Sequence, residues 1–162
     1  MHYLIDGHNL IGKMRDIDLD DPDDEVKLIL RLRGWSARSR KCKVTVIFDR
    51  GLPGGEDKGL SSGQVKVVFA PAGRSADSLL INRIRNVKNP AEYTLVSSDQ
   101  KIIRTAKACR LLVWRSETFV QRMNQAREQN MGNSTVETAD DPQMSVGEVD
   151  MWLEMFSAGE ED

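Results

Sequence analysis

Four aspartates in this 162-residue chain each stand at, or just beyond, the end of a short apolar run. They are Asp6 in "LIDGHN", Asp49 in "VIFDRG", Asp77 in "VVFAPAGRSADSLL" and Asp99 in "VSSDQK". Carboxylates gathered at one place repel one another and raise each other's pKa unless a cation neutralises them. An all-oxygen set of this kind suits Mg²⁺ or Mn²⁺, which keep several waters and sit on one or two carboxylates plus a phosphate. Such an ion can generate a hydroxide nucleophile and offset charge on a phosphate during in-line displacement. Each aspartate also has a simpler reading. Asp is common at turns and helix N-caps, and Asp77 and Asp99 suit helix N-termini. Gly7 and Asn9, beside Asp6, suit a turn because both tolerate positive φ. Turn chemistry alone does not explain why four separate strand ends repeat the pattern.

The sequence argues against several other chemistries. His2 and His8 are the only histidines, which disfavours a His-rich zinc site or a His-pair ribonuclease mechanism. Cys42 and Cys109 are isolated, with no metal-type spacing, and suit small buried hydrophobes in a reducing compartment, the cytoplasm. Neither G-x-x-x-x-G-K-[ST] nor a G-x-G-x-x-G after a strand occurs, so P-loop and dinucleotide-binding readings lack support. No apolar run approaches the roughly 20 residues of a membrane helix, and no basic leader precedes Tyr3.

The elements that must position the aspartates are legible as five strand-like runs. These are Tyr3–Ile5, Val44–Phe48, Val65–Phe69, Thr94–Ser97 and Leu111–Trp114. Most are nearly continuous hydrophobics, as expected of strands covered on both faces. Helical spacing appears between them: Val26, Ile29, Leu30, Leu32 and Trp35; Leu79, Leu80, Arg83, Ile84 and Val87; and Ile102, Ile103, Ala106 and Cys109. Strands alternating with helices indicate a parallel α/β sheet with right-handed crossovers. In such a sheet all C-terminal strand ends share one edge, and ligands bind in the crevice beyond it. The segment from Arg50 to Gln64, with five glycines and no helical period, reads as a mobile loop: a surface insertion or a flap beside a groove.

A helix is expected over 115–129, with Phe119, Val120 and Met123 facing inward. The chain then divides into a main domain over 1–130, a polar and acidic linker over 131–144, an amphipathic helix over 145–157 opened by the capping box Ser145–Glu148, and an acidic tail over 158–162. That helix is expected to dock on the domain itself, or else to bind a partner protein.

The net charge of −2 conceals an asymmetry. Val26 to Arg127 holds 21 of the 23 Lys and Arg residues against seven acids, while Asp16 to Glu25 and the chain after Arg127 hold acids and no base. A basic body between acidic flanks is what a polyanion-binding domain can look like, although ordinary solubilising charge gives the same balance. Arg38, Arg40 and Lys41 fall in the dense stretch "RLRGWSARSRKCK", and Arg50 and Arg74 stand next to the aspartates in sequence. These bases can hold phosphates while the acids hold metal.

The motifs "YLIDGHNLIG", "VTVIFDRG", "VKVVFAPAGRSADSLL" and "TLVSSDQKI", in that order, resemble the NYN domain family, specifically its YacP-like branch within the PIN-like nucleases. The resemblance runs from Tyr3 to about Met123, and "EVDMWLEMF" is similar to the branch's short C-terminal segment. It implies a three-layer α/β PIN-like fold, a central parallel sheet of about five strands flanked by helices. It also implies metal-dependent cleavage of RNA, since members of this branch include a ribosome-associated endoribonuclease acting on messenger RNA. Carried over by motif, Asp6, Asp77 and Asp99 would hold Mg²⁺ or Mn²⁺. Asn9 would orient a ligand or phosphate, Asp49 would assist directly or through water, and Ser97 or Ser98 would support the site by hydrogen bonding. RNA, and with it the ribosome, is the implied partner.

Two other functions compete. A binding module of the same fold would hold RNA or dock on a ribosome with little or no cleavage. A phosphohydrolase would use an Asp nucleophile at a strand end, but it lacks a D-x-D after the first strand, where the chain reads "DGH". The acidic flanks are expected to discourage non-specific RNA binding.

Overall fold

In the computed structural model, residues 1–49 and 54–133 are described. The chain divides into two compact units, Met1–Arg127 and Glu128–Asp162. Arg50 and the helix expected over 145–157 lie outside the described residues.

The first unit is built on a six-stranded sheet in the order β3-β4-β2-β1-β5-β6. Its strands are β1 (His2–Asp6), β2 (Lys43–Phe48), β3 (Gly55–Glu56), β4 (Val65–Phe69), β5 (Tyr93–Val96) and β6 (Leu112–Trp114). All neighbouring pairs are parallel except β3 with β4, which is antiparallel. The helices are α1 (Gly7–Ile11), α2 (Asp24–Ser36), α3 (Ala76–Arg85), α4 (Gln100–Ala108) and α5 (Ser116–Asn133), which runs on into the stretch read as linker.

The pleat of each strand sorts its residues into two cores. Ile5, Val46, Phe48, Val67 and Val96 meet Leu10 and Ile11 of α1, Leu28, Ile29 and Leu32 of α2, and Phe119 and Met123 of α5. Their sequence neighbours Leu4, Ile47, Val68 and Leu95 point the other way, onto Leu80 and Ile84 of α3 and Ile102, Ile103 and Ala106 of α4. Helices cover both faces, so the expected three-layer α/β arrangement is present. The near-continuous apolar strands follow from it, because both faces are dry.

Three local features differ from the sequence expectations. The chain after Asp6 is a short helix and not a positive-φ turn: Gly7 opens α1, and the glycines at positive φ among the described residues are Gly55, Gly63 and Gly73. Gly7 is needed for close approach instead, because a Cβ there would fall inside the Phe48 ring. Second, the described part of the glycine-rich segment is not without regular structure. β3 pairs with β4, the Asp57 carboxylate accepts from the Leu60 N–H at 2.9 Å, and Ser62 and Val65 form an antiparallel bridge. Third, α2 buries Leu28 in place of Val26 and Leu30, which remain partly exposed.

The Phe48 ring is fully buried and stacks on Phe69 at 5.6 Å, so it has little room to yield. Gly7→Ala is therefore expected to destabilise the fold by roughly 1–3 kcal/mol, the usual range for overpacking. Denaturant unfolding measures it, and combining Gly7→Ala with Phe48→Leu should be less costly than the sum of the two single changes.

Candidate metal centre

The parallel strands place Asp6 at the C-terminal end of β1, paired with Ile47 of β2. β1 lies between β2 and β5; from β1 the chain leads to β2 on one side, whereas from β5 it leads to β6 on the other, so the topological switch point, where a crevice opens, falls between β1 and β5. Asp6 alternates with Ile5 and shares the direction of Leu4, toward the α3/α4 layer. It is only 6% exposed.

The other three aspartates reach the same edge by different routes. Asp49 follows β2, and its Oδ1 accepts from the Ala76 N–H at 2.6 Å, tying the first turn of α3 to the end of β2. Ser75 caps the same helix through the Ser78 N–H at 3.2 Å. Asp77, in the first turn of α3, is thereby held near enough for its charge to act on Asp6. Asp99 is the N-cap of α4, its Oδ1 accepting from the Lys101 and Ile102 N–H groups at 2.9 and 3.3 Å. Asp49 and Asp99 thus each commit one oxygen to a helix N-terminus.

Electrostatics show that the four carboxylates feel one another. Burial first, then Asp77, with smaller contributions from Asp49 and Asp99, pushes Asp6 up to about 6, while the Asn9 main-chain N–H acts in the opposite direction. Asp77 is also raised, by burial and then by Asp99 and Asp49, against a lowering influence from Lys101. A buried carboxylate whose ionisation is opposed by three neighbours of its own sign is one that a divalent cation would relieve. The donor set, all oxygen, fits Mg²⁺ or Mn²⁺. Among the described residues, the cluster with ligand atoms all within 4.8 Å is a different one: His8, Asp24 and Glu25.

Asn9 and the serines form a brace around this edge. Asn9 Oδ1 accepts from the Ser98 N–H at 3.0 Å and the Ser116 hydroxyl at 2.7 Å, joining α1, the β5–α4 loop and the start of α5. The Ser98 hydroxyl accepts from the Ser116 N–H at 3.1 Å and donates to Glu117. Ser97 is fully buried, and its hydroxyl accepts from the Asp99 N–H at 3.1 Å. Glu117 is held down at about 2, chiefly by the Ser98 hydroxyl, and pairs with Lys13 at 3.4 Å. Ser116, Glu117 and Lys101 were missed in the sequence reading. The signal for the first two was present, since "VWRSET" is another strand end followed by an acid.

The predicted bases separate into two groups. Arg74 is exposed in the turn before α3, on the edge that carries the aspartates. Arg38, Arg40 and Lys41 lie between α2 and β2, at the N-terminal end of the sheet and so on the opposite edge. Two further members of that basic stretch serve the fold, Arg31 pairing with Asp16 and Arg33 donating to the Leu60 carbonyl.

With the geometry in hand, comparison with known proteins decides the family. The profile of the YacP-like NYN domain matches residues 3–151. The chain belongs to the YacP-like NYN domain family. This family is of the nuclease type, and NYN nucleases are in general dependent on divalent metal. The crystal structure of Rae1 (YacP) from Bacillus subtilis is similar, with a TM-score of 0.69 at 18% identity over 98% of this chain and 94% of that one. The structure of its W164L mutant gives a TM-score of 0.64 at 17% identity, covering 86% of each chain. At these identities the likeness establishes the shared PIN-like fold. None of the curated protein sequences compared matches this chain.

Asp6 has a consequence for stability. Its folded pKa of about 6 lies above the ordinary 3.8, so the folded state holds the proton more tightly than the unfolded chain does. Stability contributed by this group therefore falls as pH rises through that window, by about 2–3 kcal/mol in all. In EDTA at neutral pH, Asp6→Asn is expected to melt several degrees above the wild type, the advantage vanishing below about pH 4. Added Mn²⁺ should raise the wild-type melting temperature more than that of the variant, and thermal melts across pH check both.

Proposed function

We propose that this protein is a divalent-metal-dependent ribonuclease that cuts single-stranded RNA internally. The observation that carries the reading is the burial of Asp6 at the switch point of the sheet, among Asp77, Asp49 and Asp99.

Asp6, Asp77 and Asp99 are the residues that would hold the cation. When bound, Mg²⁺ or Mn²⁺ supplies an activated water and offsets negative charge on the phosphate. Asp49 acts as a positioning residue: its hydrogen bond to the Ala76 N–H fixes the first turn of α3, which carries Asp77, at the end of β2. Asn9 fixes α1 against the β5–α4 loop through the Ser98 N–H, which holds Asp6 and Asp99 in register. Arg74, exposed on the same edge, is placed to meet an RNA phosphate. Internal cleavage and messenger RNA as target are supported by the family resemblance rather than by a particular side chain.

A second reading has its own observation. Arg38, Arg40 and Lys41 form an exposed basic surface on the edge away from the aspartates, as a module that mainly holds RNA or a ribosome would use.

Labelled single-stranded RNA incubated with Mn²⁺, Mg²⁺ or EDTA separates the two. Internal products that need metal are expected from the wild type. Asp6→Asn and Asp77→Asn should lower the rate by roughly a hundredfold or more, the scale of losing one group that stabilises transition-state charge, while RNA affinity is largely retained. If the wild type leaves both naked RNA and translating ribosomes uncut yet binds them, the binding module is the correct reading. Asn9→Ala is expected to lower turnover by slackening the brace, with Ser98→Ala milder because its N–H remains; single-turnover rates at saturating RNA measure this.

A further inference from the structure

We propose that His8, Asp24 and Glu25 form a second cation site, built for a divalent transition ion such as Mn²⁺ and with ligands distinct from those of the aspartate edge. His8 lies on α1, and Asp24 and Glu25 open α2; packing of Leu10 and Ile11 against Leu28 and Ile29 brings the two helices together. One ligand atom from each of the three residues lies within 4.8 Å of the others. Their helices lie on the α1/α2 side of the sheet, whereas Asp77 and Asp99 belong to the α3/α4 layer; Asp49 is near enough for its charge to act on His8.

Asp24 is the independent observation. It is 7% exposed, and the one hydrogen bond its carboxylate accepts among the described residues comes from the adjacent Glu25 N–H at 2.7 Å. No lysine or arginine among the described residues pairs with it. In the metal-free protein the positive charge beside it is His8, whose pKa is raised chiefly by its hydrogen bond to Glu25 and further by Asp24, and a divalent ion would take that place with two charges. His8 and Glu25 side chains are each 30% exposed, so the cluster is open to solvent on one side.

The donor types narrow the ion. An imidazole nitrogen with two carboxylates suits borderline transition ions, whereas Mg²⁺ and Ca²⁺ prefer oxygen throughout. Three protein ligands leave further positions for water. In the metal-free protein His8 Nε2 and Glu25 Oε1 are hydrogen-bonded at 3.0 Å. Binding replaces that bond. The imidazole must be neutral with its proton on Nδ1, so any charged fraction releases one proton, and Nε2 donates its lone pair to the ion. Neighbouring ligand atoms in an octahedral site are about 3 Å apart, so the side chains close inward by a modest rotamer change. The bound ion would clamp α1, which carries Asn9, to the start of α2.

Mn²⁺ bound to the full chain, read by pulsed electron paramagnetic resonance for nitrogen coupling, tests the site directly. The aspartate edge contains only oxygen donors, and the chain's other histidine, His2, bonds Thr45 at the far end of the sheet. A nitrogen-coupled Mn²⁺ signal is expected in the wild type and in Asp6→Asn, absent in His8→Gln, unchanged in His2→Gln, and weakened roughly tenfold or more in affinity in Asp24→Asn. Oxygen-only Mn²⁺ remaining in His8→Gln reports the aspartate edge, so that reading stands or falls separately. A wild-type signal without nitrogen coupling, or coupling that survives His8→Gln, overturns the proposal. Circular dichroism verifies that each variant folds, and if His8→Gln does not, Glu25→Gln replaces it with the same expected loss of affinity.

Discussion

The acidic edge depends on holding one carboxylate out of water. Asp6 sits at the end of the central strand, 6% exposed, with like charges opposing its ionisation. An isolated turn could not keep it there, because the group would rotate into solvent. The sheet does so because β1 is hydrogen-bonded on both sides, to β2 and to β5, and because helices cover both faces. Folding energy gathered in the two apolar cores is what tolerates the repulsion at the rim. Such local instability is characteristic of a site whose charge is meant to be completed by something bound.

The aspartates divide the work of building that rim. Asp49 and Asp99 each use one oxygen to satisfy main-chain donors at the start of a helix, α3 and α4 respectively. These are the helices that carry or adjoin the other acids. The same residues that add charge to the edge therefore also determine where the edge is. Their two readings in the sequence, helix cap and ligand, are not alternatives: a carboxylate has two oxygens, and capping takes one of them. Asn9 extends this logic, since one amide oxygen joins three chain segments that are far apart in sequence.

Much of the sheet was legible because both faces of a parallel strand are dry, which leaves continuous apolar runs such as "VTVIF" and "TLVS". The aspartates were legible because parallel strands all end at one edge. α1 was not: five residues are too short for a period, and Gly7 and Asn9 are equally typical of turns. Gly7 owes its place to the Phe48 ring, a partner some forty residues away that no local pattern reveals. β3 was hidden for a related reason, since a two-residue edge strand rich in glycine has no alternation to read. The basic stretch is a different case. Its charge was plain, and its place directly before a parallel strand already puts Arg38, Arg40 and Lys41 at the sheet's other end, where the register sets His2 opposite Lys43.

That separation constrains what could engage both groups. β1 and β2 are five and six residues long, so the two edges lie roughly 16–20 Å apart along the strands at the usual rise per residue. A mononucleotide cannot bridge such a gap. A ligand that touches Arg74 and the aspartates at one end and Arg38, Arg40 and Lys41 at the other must be a polymer with several phosphates, running over the surface of the domain. The acids do not obstruct such a path evenly. Asp16 and Asp21 are already engaged by Arg31 and Lys27 of α2, so part of the acidic segment is neutralised within the fold. The carboxylates at the strand ends have no such partner among the described salt bridges, and neither do Asp18, Asp20 and Asp23. Burial sets Asp6 apart from exposed acids such as Asp18 and Asp20: at 6% exposed, its charge is screened by water far less than theirs.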